Sequence, residues 1–199
     1  MWRAAGERAV SSVKTAAVHL KPGRDKAVRE GHPWVFSGAI DKVRGPADSP
    51  VAEVYAGNGE PLGLGFYSPL SQIRVRMLGP DAKAADRAWF GTRLASAAAL
   101  RKAVLPPPPE ITTGYRVLNA EGDGVPGWTV DVFGDALVSQ ITVAGLEAVR
   151  AEAYAALSEA FPGLPILQAN DVPSRRAEGL SQEDEIIAGE PPAEAAFQE

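Results

Sequence analysis

The sequence contains no cysteine and only two histidines, and these shortages exclude several kinds of chemistry. Without cysteine the chain can form no disulfide, no thiolate metal site and no cysteine nucleophile. His19 and His32 alone cannot supply a histidine-rich zinc site. No apolar run approaches the roughly 18 residues that a membrane span requires, and the N-terminus lacks the apolar segment of a secretory signal. We therefore expect a soluble, cytoplasmic protein with no metal and no membrane partner.

The composition is otherwise that of an ordinary globular protein, with 199 residues of which 45% are hydrophobic and 23% charged. Its charge is divided unevenly. Residues 1–105 carry 16 Lys and Arg against 9 Asp and Glu, whereas residues 106–199 carry 4 against 16, so formal charges of +7 and −12 give the net −5. Such a split indicates a polyanionic partner for the basic half. The alternative is that two surfaces of opposite sign dock on each other.

Short segments punctuated by Gly and Pro fill the first part of the chain and are typical of strands. The predicted strands are Ala16–Leu20, His32–Phe36, Val51–Tyr55, Leu62–Tyr67 and Gln72–Leu78. Gly57-Asn58-Gly59 predicts a hairpin turn, because Asn and Gly tolerate positive φ. Alternation in the fifth strand predicts that Arg74 and Arg76 point outward. We expect a small, closed or nearly closed β-barrel.

A helix and a second group of strands follow. Residues 81–105 show helical spacing, with Asp81 or Asp86 as the cap, and Pro106–Pro109 ends the helix at a domain boundary. Later strands are predicted at Tyr115–Asn119, Trp128–Phe133, Leu137–Val143, Pro165–Ala169 and Glu185–Ala188, with one helix over Gly145–Phe161. This order predicts an α+β domain. The predicted divisions are a flexible tail at 1–15, the barrel at 16–79, a linker helix and Pro-rich spacer at 80–110, the α+β domain at 111–190 and a final segment at 191–199.

Two motifs near residue 122 have more than one interpretation. Residues 122–127 match G-x-G-x-x-G, but a dinucleotide loop needs a helix after it, and residues 128–133 alternate like a strand. We therefore interpret the glycines as a hairpin connection. The carboxylates of Glu121, Asp123, Asp131 and Asp135 could bind a metal or perform acid–base chemistry, or they could belong to a solvated turn.

Basic residues with interleaved aromatic residues are the strongest functional signal in the first half. Basic side chains neutralise phosphates, and aromatic rings stack on bases. The cluster comprises Lys14, Lys21, Arg24, Lys26 and Arg29, followed by His32, Trp34, Arg74 and Arg76. Phe36 is expected to lie in the core. The alternative is that Trp34 is also core and that the charges only confer solubility, but the local clustering favours binding of nucleic acid.

The chain resembles a bacterial family of class I SAM-dependent ribosomal RNA cytosine-C5 methyltransferases that begin with a PUA domain. The resemblance covers about residues 16–199 and rests on several long motifs in the same order. These motifs are Leu20-Lys21-Pro22-Gly23-Arg24-Asp25-Lys26, Gly31-His32-Pro33-Trp34-Val35-Phe36-Ser37-Gly38-Ala39-Ile40, Gly63-Leu64-Gly65-Phe66-Tyr67-Ser68-Pro69, Ser71 to Arg76, Tyr115 to Gly127, Val130-Asp131, Gln140 and Glu178-Gly179-Leu180.

The resemblance implies a PUA RNA-binding barrel, a central α+β domain and a C-terminal Rossmann-like domain that carries SAM and a catalytic cysteine. We expect only the first two parts here, because the chain ends where the third would begin and contains no cysteine. The chain alone is then expected to bind no cofactor and to hold no catalytic residue. One departure is Ala169, where the family tends to have Arg; Arg175 still matches.

The sequence as a whole predicts a mixed fold with a PUA-type barrel, a connecting helix and a small α+β domain. We expect the RNA-recognition portion of a ribosomal RNA methyltransferase that is not competent for catalysis alone, with structured RNA as its partner and a homodimer as a possible assembly. Arg116, Glu121, Asp123, Asp131 and Arg175 are expected to line the central domain's side of the target site. The open alternatives are a free-standing RNA-binding adaptor, a decayed paralogue and a protein–protein scaffold.

Overall fold

The computed structural model describes residues 13–105 and 112–192. Most of the expected N-terminal tail, the Pro106–Pro109 spacer and residues 193–199 lie outside the described residues. The remaining chain folds into two sheets with helices packed between and beside them. Among the described helices, none combines the length and the hydropathy that crossing a bilayer requires.

The first sheet has six strands and includes every strand predicted in the first part of the chain. Its elements are β1 (Thr15–Leu20), the short helix α1 (Lys26–Arg29), β2 (Trp34–Phe36), β3 (Ile40–Arg44), β4 (Val51–Tyr55), β5 (Pro61–Tyr67) and β6 (Ile73–Met77). The strand order is β2-β6-β5-β4-β1-β3, with β1 and β4 parallel and the other pairs antiparallel. The sheet forms a PUA-like half-barrel, and β2 and β3 are its two ends.

Helix α2 (Arg87–Val104) follows the first sheet and begins later than the sequence predicts. Asp86 caps it, because its side chain accepts a hydrogen bond from the Trp89 amide at 2.9 Å. The helix buries Phe90, Leu94 and Ala97 on one face. These residues recur at i, i+4 and i+7, the spacing of one face of an amphipathic helix.

The second sheet is mixed and contains five strands. Its elements are β7 (Gly114–Asn119), β8 (Trp128–Phe133), β9 (Ala136–Ile141), α3 (Ala144–Ala148), α4 (Arg150–Ala160), β10 (Ile166–Gln168), α5 (Pro173–Ala177) and β11 (Glu185–Ala188). The order β11-β10-β9-β8-β7 makes β7, β8 and β9 an antiparallel meander, while β9 and β10 run parallel across the α3–α4 crossover. The predicted mixed fold of a PUA-like sheet, a helix and a second sheet is therefore confirmed.

One hydrophobic core is continuous across the two sheets. Phe66 of β5 stacks near Phe90 of α2, with ring centroids 6.4 Å apart, and Phe90 meets Trp128 of β8 edge to face at 5.6 Å. All three side chains are fully buried. A smaller cluster, including Val18, Leu20 and Val75, lies inside the first sheet alone. The two sheets therefore share most of their apolar packing through α2.

The backbones of the two halves also approach closely at Gly145. A Cβ atom there would lie 2.3 Å from the carbonyl oxygen of Pro50 and 2.7 Å from the amide nitrogen of Tyr67. Only a glycine allows this approach, because both neighbouring atoms belong to backbone that cannot rotate away. The start of α3 thus packs directly against the backbone where β4 begins and β5 ends in the first sheet.

The structure departs from the sequence predictions at further places. Strand β3 has no counterpart in the predicted strands. The helix predicted at 145–161 is two helices, because Val149 adopts φ −112° and ψ 14° between α3 and α4. Phe36, expected in the core, is 47% exposed, since it lies at the end of the edge strand β2 with its side chain on the outer face.

Candidate nucleic-acid interface

A loop and the short helix α1 carry the exposed cations Lys21, Arg24 and Lys26, which we call the basic segment. The Lys21 ammonium donates a hydrogen bond to the Gly38 carbonyl at 2.9 Å, so its charge has no carboxylate partner there. Arg24 has no ion pair with any residue that the structure describes. Lys26 makes only a loose, solvent-exposed pair with Glu30 at 3.8 Å. These three positive charges therefore face solvent nearly uncompensated.

Arg29 lies beside the basic segment but is neutralised by two carboxylates. Its guanidinium donates to Asp25 at 2.6 Å and to both oxygens of Glu60 at 2.8 and 2.9 Å. These hydrogen bonds raise the pKa of Arg29 and lower the pKa values of Asp25 and Glu60. Arg29 thus ties α1 to the β4–β5 turn, and its charge is less available to a phosphate than the sequence suggests.

Three aromatic rings line the outer side of β2. The Trp34 indole is half-buried and donates from Nε1 to a Glu121 carboxylate oxygen at 2.9 Å. Its amide donates to His32 Nδ1 at 3.1 Å, which holds the imidazole beside the indole, 5.9 Å between centroids. Phe36 lies 6.2 Å from Trp34 at an interplanar angle of 85°. Trp34 therefore joins the two halves of the molecule, while the Phe36 ring remains open to solvent.

The two arginines of β6 have different environments. Arg76 forms an ion pair with Glu178 at 3.0 Å, and the two side chains are 11% and 4% exposed. Glu178 also accepts a hydrogen bond from the Ala144 amide at 3.2 Å. Arg74 is half-buried and has no ion pair among residues 13–105 and 112–192. The outer face of β6 thus meets the second half of the chain at Arg76, and this guanidinium is occupied by a protein carboxylate.

The carboxylates predicted as a cluster take separate partners. Asp123 accepts two hydrogen bonds from the Arg101 guanidinium at 2.8 and 2.5 Å, and the pair is mostly buried. Asp131 pairs with Arg116 at 2.8 Å, which raises the pKa of Arg116. Within the described residues no group of acidic and histidine side chains is arranged to hold a metal ion. Glu121 holds Trp34, so these acids serve contacts inside the protein.

Arg175 is the most deeply buried of the predicted site residues, with 2% exposure. Its guanidinium donates to the Ser181 carbonyl at 2.6 Å, to the Ile141 carbonyl and to Glu147 at 2.9 Å. It therefore holds α5 and the following loop against β9 and α3. Arg175 therefore lies in the interior of the second half of the chain and stabilises the packing of these elements.

The glycines at 122–127 connect β7 to β8, as predicted from the sequence. The loop amides of Gly124, Val125 and Trp128 donate to carbonyls within the same loop, at 3.2, 3.0 and 3.2 Å. A Cβ at Gly127 would lie 2.0 Å from a Val143 methyl, so this glycine permits close packing. The segment therefore lacks the form of a dinucleotide phosphate loop, which needs free amides at a helix N-terminus.

Addition of millimolar SAM is therefore expected to leave the melting temperature of this chain unchanged. A ligand that binds only the folded state stabilises it by about 2.7 kcal/mol at a hundredfold excess over Kd. A thermal scan with and without SAM measures the shift. A saturable rise in melting temperature would contradict the interpretation of residues 122–127 as a plain hairpin connection.

Some of the positive charges of residues 1–105 form ion pairs with negative charges of residues 106–199. Arg76 pairs with Glu178, Arg101 with Asp123, and the exposed Arg87 with Glu159. Each pair joins a cation of residues 1–105 to an acid of residues 106–199. The two halves therefore contact each other through opposite charges, and the basic segment still faces solvent. The sequence did not predict the ion pairs of Arg101 and Glu178, because their partners are distant in the chain and no local pattern indicates them.

Comparison with known proteins shows that the chain is similar to one part of longer proteins. The model of a PUA-like domain matches residues 18–80. Ribosomal RNA large subunit methyltransferase I of Aliivibrio fischeri is 42% identical over 183 residues, which are 91% of this chain and 46% of the relative. The protein of the same description from Photobacterium profundum is 39% identical over 89% of this chain and 45% of its own length. The chain thus spans about half the length of the curated relatives it matches.

Solved structures support the same fold. A Streptococcus mutans protein described as a SAM-dependent methyltransferase superposes with a TM-score of 0.70 at 18% identity, over 88% of this chain and 44% of that protein. A methyltransferase structure complexed with SAH gives 0.71 at 17% identity, over 90% of this chain and 43% of that protein. Together with the sequence matches, these similarities show that the chain is homologous to the N-terminal half of ribosomal RNA large subunit methyltransferase I and contains a PUA-like domain.

Proposed function

We propose that this chain is the RNA-recognition portion of a SAM-dependent methyltransferase that modifies cytosine C5 in ribosomal RNA, and that it has no catalytic activity alone. The observation that carries the proposal is the basic segment. Lys21, Arg24 and Lys26 present uncompensated charge on the PUA-like domain. Neutralising phosphates with such cations releases counterions and supplies the sequence-independent part of RNA affinity.

The relatives support ribosomal RNA as the partner, because the curated matches are named as ribosomal RNA methyltransferases. Such a partner would be met in the bacterial cytoplasm, which we propose as the location. The cations lie close together in the sequence, on one loop and one helix turn beside the first sheet, which supports a contact with RNA. Arg74 lies on β6, which pairs with β2, and extends the same domain's positive charge.

The lack of catalysis is supported by the residue inventory. The family that the sequence resembles attacks cytosine with a cysteine, and this chain contains no cysteine. The glycine motif is a hairpin connection, and the amides of Gly124 and Val125 within it donate to carbonyls of the same loop. Methyl transfer would then require a further domain that brings both SAM and the nucleophile.

Replacement of Arg24 and Lys26 by alanine together is expected to weaken binding of structured ribosomal RNA at every sequence tested. The slope of log affinity against log salt should fall in magnitude by about 2, because each lost phosphate contact removes about one unit. Fluorescence anisotropy titrations over a range of salt concentrations measure both quantities.

The matched control is the double variant Lys83→Ala with Lys102→Ala, which removes the same charge from two exposed lysines near and on α2. It is expected to change the salt slope little. Equal slopes and affinities for the wild type and the Arg24/Lys26 variant would contradict the proposed role of the basic segment. Equal losses in both double variants would indicate a general charge effect with no defined surface.

A further inference from the structure

A pocket of about 390 Å³ opens where the two halves of the molecule meet. The loop after β6 and the connection between β7 and β8 both line it, and so does Arg93 of α2. The first half contributes three half-buried apolar side chains to its walls, those of Val28, Leu62 and Met77. The volume lies within the range of small-molecule sites, roughly 300–1,000 Å³. The pocket therefore has the size and the apolar surface to hold a small organic ligand.

Arg93 brings to this pocket a guanidinium that has no carboxylate partner among the residues that the structure describes. The guanidinium lies between Gly79 and Gly124, where Cβ atoms would be 3.3 Å from Nη2 and 3.6 Å from Nη1. Nη2 makes a long hydrogen bond to the Leu78 carbonyl at 3.4 Å, and Nε is buried without an acceptor. The Trp89 ring centroid is 5.5 Å from the guanidinium carbon. The charge is thus held in place by weak contacts, and the Nη1 donors remain available to an anion.

The same pocket also carries negative charge, from Glu121 and from the exposed Asp81. Neither acid has an ion pair within residues 13–105 and 112–192. Glu121 uses Oε1 to accept the hydrogen bond from the Trp34 indole at 2.9 Å, so its second oxygen is left for another donor. Arg93 and Glu121 therefore line one pocket with opposite charges and are not paired with each other. Partly buried charges without partners are unfavourable, so a ligand that compensates both is favoured.

We propose that this pocket binds a small zwitterion with an apolar body, which is the chemistry of an aliphatic amino acid. The ligand's carboxylate accepts hydrogen bonds from Arg93, its ammonium donates to Glu121, and its apolar body covers Leu62 and Met77. A planar guanidinium suits a carboxylate, and hydrogen bonds between charged groups are stronger than those between neutral ones. An anion alone would leave Glu121 unpaired, and a cation alone would leave Arg93 unpaired. The inference goes beyond RNA binding and does not depend on it.

The experiment compares leucine with two analogues that each lack one of its charges. 4-Methylpentanoate has no amino group, and 3-methylbutylamine has no carboxylate, while both keep the branched apolar body. Isothermal titration calorimetry on the intact chain measures the three affinities. Leucine is expected to bind, and each analogue is expected to bind about 10- to 150-fold more weakly, because it loses one interaction between charged groups.

Two variants assign each charge of the ligand to a side chain. Arg93→Gln should weaken binding of leucine and leave the affinity for 3-methylbutylamine unchanged. Glu121→Gln keeps an acceptor for the Trp34 indole, and it should weaken binding of leucine without changing the affinity for 4-methylpentanoate. The matched controls are Lys102→Gln on α2 and Asp135→Asn in the turn between β8 and β9, both at exposed positions outside the pocket. They should bind all three probes as the wild type does.

Each other result overturns the proposal. Leucine that does not bind at millimolar concentration excludes the site, and an analogue that binds as tightly as leucine shows a simple anion or cation site. Variants of Arg93 and Glu121 that weaken all three probes alike act on the fold and contradict the assigned contacts. The comparison of probes on the wild type needs no variant, so it decides even where a variant fails to fold. RNA affinity and its salt slope are separate measurements, so either proposal can fail without the other.

Discussion

Replacement of Glu178 by alanine is expected to lower the free energy of unfolding by about 3–5 kcal/mol, because it leaves Arg76 buried without a counter-charge. The pair joins β6 to the loop after α5, and its side chains are only 11% and 4% exposed. The variant also loses the acceptor for the Ala144 amide. For a chain of this length, the melting temperature should fall by an amount on the order of 10 °C.

Two comparisons isolate the buried pair. Glu159→Ala breaks an exposed pair with Arg87 that also joins the two halves, and such pairs contribute only about 0–1 kcal/mol. The double variant Arg76→Met with Glu178→Leu removes both charges and should recover much of the lost stability. Thermal unfolding followed by circular dichroism measures all four proteins. A Glu178→Ala protein as stable as the Glu159→Ala protein would show that the pair is not a structural link.

A fragment of residues 106–199 is expected to show no cooperative unfolding transition. It would contain the second sheet but not α2, whose Phe90 and Leu94 are fully buried in the core that also holds Trp128. Without the helix this apolar face meets water, and loss of one large buried side chain already costs about 3–5 kcal/mol. Such losses exceed what a domain stable by about 5–15 kcal/mol tolerates.

Circular dichroism and amide proton dispersion of the fragment, compared with the intact chain, test this expectation. Broad, poorly dispersed signals would agree with a shared core. Cooperative melting near the temperature of the intact chain would mean that the second sheet has a sufficient core of its own. In that case the division at residues 106–109 would separate two units that fold independently.

The strands that could be predicted are those whose side chains alternate in burial or are continuously apolar. Val51–Tyr55, Trp128–Phe133 and Glu185–Ala188 have the predicted bounds. Strand β3 could not be found in this way, because Ile40 is half-buried and the other four residues, from Asp41 to Arg44, are exposed. An edge strand that covers no core carries no hydrophobic pattern for the sequence to display.

The positions of the charged residues in the candidate site could be predicted from the sequence. The residues that pair with them could not. The clustering of Lys21, Arg24 and Lys26 is visible in the sequence, since they lie within one loop and one turn. The neutralisation of Arg76 by Glu178 links residues far apart in the chain, as does the contact between Trp34 and Glu121. Only the fold brings such groups together, so local spacing cannot separate a free cation from an occupied one.

Phe36 shows that the sequence also does not reveal which apolar side chains of a strand are buried. Its neighbours Trp34 and Val35 are half-buried and buried, and a strand of three large apolar residues gives no sign of which face meets the core. Side chains alternate across a strand, so Val35 points inward and the residues on either side point outward. Trp34 is then covered by the second half of the molecule, whereas nothing among the described residues covers Phe36 to the same extent.

The continuous core has a consequence for how a bound RNA would be presented. The half-barrel and the second sheet are joined by α2, by the seat of Gly145 and by the links of Trp34 and Arg76, so their relative angle cannot change without opening packed side chains. RNA bound to the first sheet, as proposed, would therefore stay at a constant distance from the second sheet. A catalytic unit that packs on the second sheet would then reach its nucleotide at a distance set by this packed core. No hinge motion between the two sheets would be needed.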